Sequence, residues 1–151
     1  MTAAEVSRSF FEEIWNKRNF ALADRIIAPD CMTRQLTTGA SPGGAVPRGP
    51  EEIKAHVAEW LAAFPDMTAH IQHQLVDGDE VFTWVVLEGT HEGAWHGVPP
   101  TRQRIAIQCA VMHRIRNGQI FEDWVLVEAL GFFQALGLVE PTSVIMARRS
   151  A

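Results

Sequence analysis

Tyrosine is absent from this chain, and cysteine occurs only twice, as Cys31 and Cys109. The two thiols lie far apart, without a CxxC or a Cys/His ligand spacing. They read as buried thiols of a reducing compartment, neither a disulfide framework nor a zinc site. No apolar run reaches the ~18 to 20 residues that span a bilayer, so no membrane partner is expected. The opening MTAAEVSRSFFEE carries acids where a secretion signal has a basic and then an apolar stretch, which predicts a cytoplasmic protein. Basic residues are also few. Thirteen Lys and Arg face 18 Asp and Glu, for a net charge of −5 with no basic block, which argues against a nucleic-acid partner. GxSxG, HExxH, P-loop and strand-linked GxGxxG patterns are missing too, and with them the commonest hydrolase, metalloprotease and nucleotide signatures.

What is there suits one ordinary globular domain over 1–151, with 47% hydrophobic and 21% charged residues. Thr2 and Glu5 form a T-x-x-E capping box ahead of Val6, Phe10, Ile14 and Trp15, which recur at helical spacing with Phe11 beside them. A helix is predicted over 2–17, and a shorter one from Asn19 through Ile26, stopped by Pro29. A short strand around Cys31–Leu36 and a turn-rich loop, Gly39–Gly49, follow. Pro50, Glu51 and Glu52 open a third helix whose Ile53, Val57, Trp60, Leu61 and Phe64 share a face until Pro65.

The period then changes to two. Strands are predicted over 67–76, 81–90, 104–116 and 120–127, with hairpin turns at Asp77-Gly78-Asp79 and Asn117-Gly118. A last helix over 129–136 ends at Gly137, and the tail 139–151 has no clear period. Helices first and antiparallel strands later make an α+β domain, with helices laid over one face of a curved sheet. Phe82, Trp84 and Val86 oppose Val81, Val85 and Leu87 on one strand, so both faces need cover. A second subunit supplies it most economically.

A two-residue turn at Asn117-Gly118 sets a register in which Met112 pairs with Asp123, Ala110 with Val125 and Gln108 with Val127. One face then reads Gln108, Ala110, Met112 and Arg114 against Phe121, Asp123, Val125 and Val127. Asp123 stands out there, between Phe121 and Val125 in a stripe suited to burial. Desolvation raises a carboxyl pKa toward the range where it serves as base or acid. A structural pair with Arg114 or a helix residue, or a solvated rim, is the alternative. The same register sets Glu122 opposite His113 as an ion pair or an oriented imidazole. His91 and His96 lack a third ligand and suit no standard zinc pattern, so no metal site is assigned. His70 and His73 fall on opposite strand faces. Trp15, Trp60, Phe64 and Trp84 are candidates either for a cavity lining or for plain core.

Four strings and the order of elements resemble the SnoaL-like polyketide cyclases of the nuclear transport factor 2-like superfamily, which also holds ketosteroid isomerase and limonene epoxide hydrolase. The strings are Ala63-Phe-Pro-Asp66, Gly89-Thr-His-Glu-Gly93 with Gly97-Val-Pro-Pro-Thr101, Asn117-Gly-Gln-Ile-Phe-Glu-Asp-Trp124, and Leu130-Gly-Phe-Phe-Gln-Ala-Leu-Gly137. The resemblance implies a cone-shaped α+β barrel: a curved antiparallel sheet, the N-terminal helices on its concave face, an apolar pocket between them, and commonly a dimer through the sheet. It also implies catalysis without metal or coenzyme, in which an acid removes a proton beside a carbonyl and the enolate closes a ring by aldol attack.

Carried over by position, the family's histidine before the last-strand Trp falls on Asp123 and its catalytic aspartate on Val125. A frequent acid four residues after that Trp falls on Glu128, a frequent histidine on Arg34 and a frequent arginine on Trp84. The expected function is therefore a cofactor-independent enzyme of secondary metabolism on a flat hydrophobic substrate. Asp123 would be its base and Glu128 the second candidate. Gln108 or His91 would donate to the oxyanion, a contact of ~3 to 4 kcal/mol. Met112 and Arg34 complete the substrate contacts. A tailoring reaction (hydroxylation or epoxide opening) and a non-catalytic binding module are the alternatives.

Overall fold

The N-terminal capping box forms as predicted. Thr2 Oγ1 accepts from the Glu5 N–H at 3.2 Å while the Glu5 carboxylate accepts from the Thr2 N–H at 2.7 Å, opening α1 (Ala3–Ser9). The structure is a computed structural model and describes residues 1–36 and 44–150. Helix α1 runs straight into a π-helical segment, Phe10–Asn16, whose residues Phe10, Phe11, Ile14 and Trp15 are all buried. The wide turn of a π-helix suits such a broad apolar face. A 3₁₀ turn, Phe20–Leu22, leads into α2 (Ala23–Ile26).

Next come β1 (Ile27–Gln35), β2 (Ala45–Pro47), α3 (Pro50–Ala63), β3 (Thr68–Asp77), β4 (Glu80–Thr90), β5 (Arg104–Arg116), β6 (Gln119–Val127), α4 (Ala129–Ala135) and α5 (Thr142–Arg149). Strand β2 lies in the expected loop Gly39–Gly49, of which 39–43 fall outside the described residues. Helix α5 occupies the tail without clear period. None of its residues is buried. Among the described residues no helix is long and apolar enough to cross a membrane.

The six strands form one curved sheet in the order β2-β1-β6-β5-β4-β3. It is mixed, where an antiparallel sheet was expected, because β1 pairs in parallel with β6. No hairpin joins these two strands, so no turn dictates their relative direction. The π-helical segment and α3 pack on the concave face, where Phe11, Ile14, Ile53 and Val57 meet Val81, Val85 and Ile107 in the core. The resembling strings hold each other. Asp66 accepts from the Thr90 N–H at 2.6 Å and from its hydroxyl at 2.8 Å, and the N–H groups of Glu92 and Gly93 both donate to the Ala63 carbonyl at 3.0 Å.

Two β-bulges reset which residues face inward. The turn at Asn117 (φ 53°) and Gly118 (φ 73°) pairs Arg116 with Gln119 as predicted, but Phe121 is then an extra residue between the Ile115–Ile120 and Arg114–Glu122 pairs. An inserted residue moves everything beyond it to the opposite face. Asp123 therefore pairs with His113, Val125 with Val111 and Val127 with Cys109, which replaces the predicted register. Glu122 lies opposite Arg114 instead of His113. In β3 the extra residue is Gln72, so His70 and His73 pair with Val86 and Trp84 and share the outer face, contrary to simple alternation.

Candidate active site

A cavity of about 140 Å³ lies between the concave face and the helices. That is close to the space an aromatic ring fills in a dry apolar pocket. Phe10, Phe11 and Trp15 close it from the N-terminal helix and Trp60 from α3, while Val111 and Val125 form part of the sheet wall. Four polar side chains break this apolar lining: Gln35 on β1, Arg48 before α3, His56 on α3 and Asp123 on β6.

Asp123 is 6% exposed, and burial raises its carboxyl to about 6 although Thr33 and Arg48 pull it down. Thr33, its partner across the parallel pair, donates from Oγ1 to Oδ2 at 3.3 Å. The other oxygen, Oδ1, stands 3.6 Å from Nε2 of His113. Phe10 meets the His113 ring edge-on at 5.0 Å and Phe11 stacks on it at 5.7 Å, and burial drives its pKa down to about 3. Burial, helped by the charge of Arg48, holds His56 down at about 4. Near neutral pH the cavity lining therefore holds a carboxyl close to its titration point and the neutral imidazole of His56, and a second neutral imidazole, His113, lies behind the lining next to Asp123.

Of the residues singled out from sequence, Asp123, Trp15 and Trp60 line this cavity. The others lie elsewhere. Trp84 and Gln108 are on the outer face, joined by an indole N–H···Oε1 bond of 2.6 Å, and Met112 shares that face opposite Trp124. Arg34 also faces outward, over the Trp124 ring at 5.0 Å and 3.7 Å from Glu122. Glu128 is exposed and caps α4 by accepting from the Gly131 N–H at 3.1 Å with both oxygens. His91 is fully buried and stacks on Phe64 at 5.1 Å, and its Nδ1 accepts from the Thr101 N–H at 3.1 Å. Those contacts make His91 and Phe64 core residues that anchor a loop. His96 instead pairs on the surface with Glu59 at 3.2 Å.

His56, in the cavity lining, and His113, beside Asp123, each carry a signal in the sequence. His56 sits three residues after Ile53 and four before Trp60, on the buried stripe of α3. His113 continues the Cys109, Val111, Ile115 alternation of β5. Gln35 ends β1 and Arg48 directly follows β2, and neither belongs to a periodic apolar stripe in the sequence.

The model of the SnoaL-like polyketide cyclase family matches residues 5–136. IdmH, a candidate polyketide cyclase from Streptomyces antibioticus, is 29% identical and superposes with a TM-score of 0.76 over 91% of this chain and 99% of its own. A candidate polyketide cyclase from Acidithiobacillus ferrooxidans is 27% identical, with a TM-score of 0.74 over 89% of this chain and 94% of its own. AclR, a candidate hydroxylase from Streptomyces galilaeus, shares the fold at a TM-score of 0.80 over 98% of this chain and 90% of its own, at 20% identity. No curated protein matches the chain at a significant level. A family match over most of the length, on an architecture that agrees with it, makes this chain a member of the SnoaL-like polyketide cyclase family.

Proposed function

We propose that this protein is a general acid/base enzyme acting on a flat, hydrophobic, polyketide-like substrate, with Asp123 as its base and intramolecular aldol closure as its reaction. One observation carries the reading: a single buried carboxyl, raised to about 6, on the wall of an otherwise largely apolar cavity. Asp123 takes a proton from the carbon beside a carbonyl, and the C–H electron pair becomes the enolate. That carbon attacks a second carbonyl of the same molecule, a C–C bond forms, and the resulting alkoxide takes the proton back from Asp123. Arg48 and His56 share the cavity with Asp123 and take the oxyanion role that sequence reading gave to Gln108 or His91.

The usual family acid corresponds to Val125, which lines the same cavity two residues further along β6. A same-face step along a strand is about 7 Å, so Asp123 addresses a different carbon of a bound ring system. This displacement favours a second reading, a tailoring reaction on the same kind of substrate. Turnover of a panel of aromatic polyketide esters tests both. Oxygen label acquired from O₂ marks hydroxylation and label from water marks epoxide opening, whereas aldol closure acquires neither. Binding without turnover across the panel overturns the enzymatic reading in favour of a ligand-binding module.

The same proposal includes a homodimer through the sheet. Phe82, Trp84, Leu126 and Leu130 leave a contiguous apolar patch exposed on the outer face, the kind of surface a second copy covers.

A further inference from the structure

A single file of polar contacts enters the protein at its surface and ends at Asp123. Arg8 on α1 donates from Nη2 to Gln74 Oε1 on β3 at 3.2 Å. Gln74 Nε2 donates to Thr83 Oγ1 on β4 at 3.4 Å, and Thr83 Oγ1 lies 3.5 Å from Ser7 Oγ. Ser7 Oγ is 2.9 Å from Nδ1 of His113, whose other nitrogen faces Asp123. Ser7, Thr83 and His113 are closed to solvent. His113 Nε2 and Asp123 Oδ1 are both buried with no hydrogen-bond partner among the described residues, and 3.6 Å separates them.

The surface end fixes the direction of the first two steps. A guanidinium only donates, so Gln74 turns its carbonyl to Arg8 and its amide N–H to Thr83. A hydroxyl carries one proton and two lone pairs, so Thr83 can accept from Gln74 and still give its proton to Ser7, and Ser7 can in turn give its own to His113 Nδ1. A neutral imidazole carries one N–H, so with Nδ1 accepting, the proton sits on Nε2 and points at Asp123. We infer that Arg8, Gln74, Thr83, Ser7 and His113 form a one-way donor chain that fixes the Nε2–H form of His113 and makes it a positioning residue for ionised Asp123.

This inference rests on the reading of Asp123 as base and deepens it. Burial works against the charged carboxylate, whereas a donor aimed at it favours that form, and each bond in a chain polarises the next. The rings of Phe10 and Phe11 keep the imidazole from turning away. The other titratable or charged groups near Asp123 are Cys31 on β1, held as a neutral thiol by a pKa pushed up to about 12, with Arg48 and His56 across the cavity. Glu122, its neighbour in sequence, belongs to the opposite face.

Imidazole ¹⁵N NMR on the wild-type chain tests the inference without any substrate. The expected result is a neutral His113 protonated at Nε2, with shifts that follow the titration of Asp123 and cease to do so in Asp123→Asn. A His113 protonated at Nδ1 overturns it. As a second measurement, the carboxyl ¹³C titration of Asp123 should move up by about one unit in Ser7→Ala, and by less in Thr83→Val. An unmoved titration in both folded variants also overturns the chain. Loss of fold in either variant leaves the wild-type spectrum to decide. The two claims fail separately: turnover that survives Asp123→Asn removes the base, while the wrong tautomer removes the chain alone.

Discussion

Thr33 and Asp123 face each other across the parallel β1–β6 pair, and the threonine hydroxyl donates to the carboxyl at 3.3 Å. Both are buried, and this bond lowers a pKa that burial raises. Thr33→Val keeps the shape and removes the donor. The Asp123 pKa is expected to rise above about 6 by up to about one unit. The acid limb of the pH–rate profile moves to higher pH with it, and a carboxyl ¹³C titration measures the same shift directly.

Asp123 also sets a pH-dependent stability. Its folded pKa of about 6 exceeds the ordinary value of 3.8, so between those values the folded chain binds the proton more tightly than the unfolded chain. The carboxyl's contribution therefore falls as pH rises through this window and is least favourable above it. Asp123→Asn should stabilise the fold by about 2 to 3 kcal/mol near neutral pH and by almost nothing below the window. Urea unfolding at the two pH values checks this. His113 and His56 act in the opposite sense. Their folded values of about 3 and about 4 lie below the ordinary 6.5, so they cost stability as pH falls under 6.5 and the unfolded chain takes up protons first.

How much of this was legible in the sequence depended on what each signal measures. Helix α3, the strand β5 and the Asn117-Gly118 turn were readable because capping, period and turn chemistry are local. The two bulges were not, since one inserted residue such as Phe121 leaves composition and turn signals unchanged while reversing every face beyond it. An unbroken register therefore singles out Asp123 for its apolar neighbours but places it on the face of Gln108 and Met112, and pairs its true neighbour His113 with Glu122. The parallel β1–β6 pair, which brings Thr33 to Asp123, joins strands about 90 residues apart, beyond the reach of any local pattern.

Gly93 is a point of close approach. A Cβ there would lie 2.1 Å from the Ala62 carbonyl oxygen, at the end of α3. Gly93→Ala is expected to shift the loop that bears His91 and to destabilise the protein by about 1 to 3 kcal/mol. Denaturant midpoints compared at constant slope measure it.

Trp84 belongs to the outer face and not to the cavity lining. Trp84→Lys puts a charge in the exposed apolar patch while leaving the cavity wall intact. Sedimentation should show a dimer become a monomer, with binding of a small aromatic ligand in the cavity retained at the monomer level. A wild-type chain that sediments as a monomer removes the dimer.

Proton removal from carbon by Asp123 is the claim on which the functional account stands. Deuterium exchange from D₂O into the acidic C–H positions of 2-indanone, a flat aromatic ketone, followed by ¹H NMR, measures that step without the natural substrate. Wild-type protein should accelerate the exchange, with an acid limb near the Asp123 pKa, and Asp123→Asn should lose about 10²-fold or more of the acceleration. Equal acceleration by the wild type and a correctly folded Asp123→Asn would contradict the account.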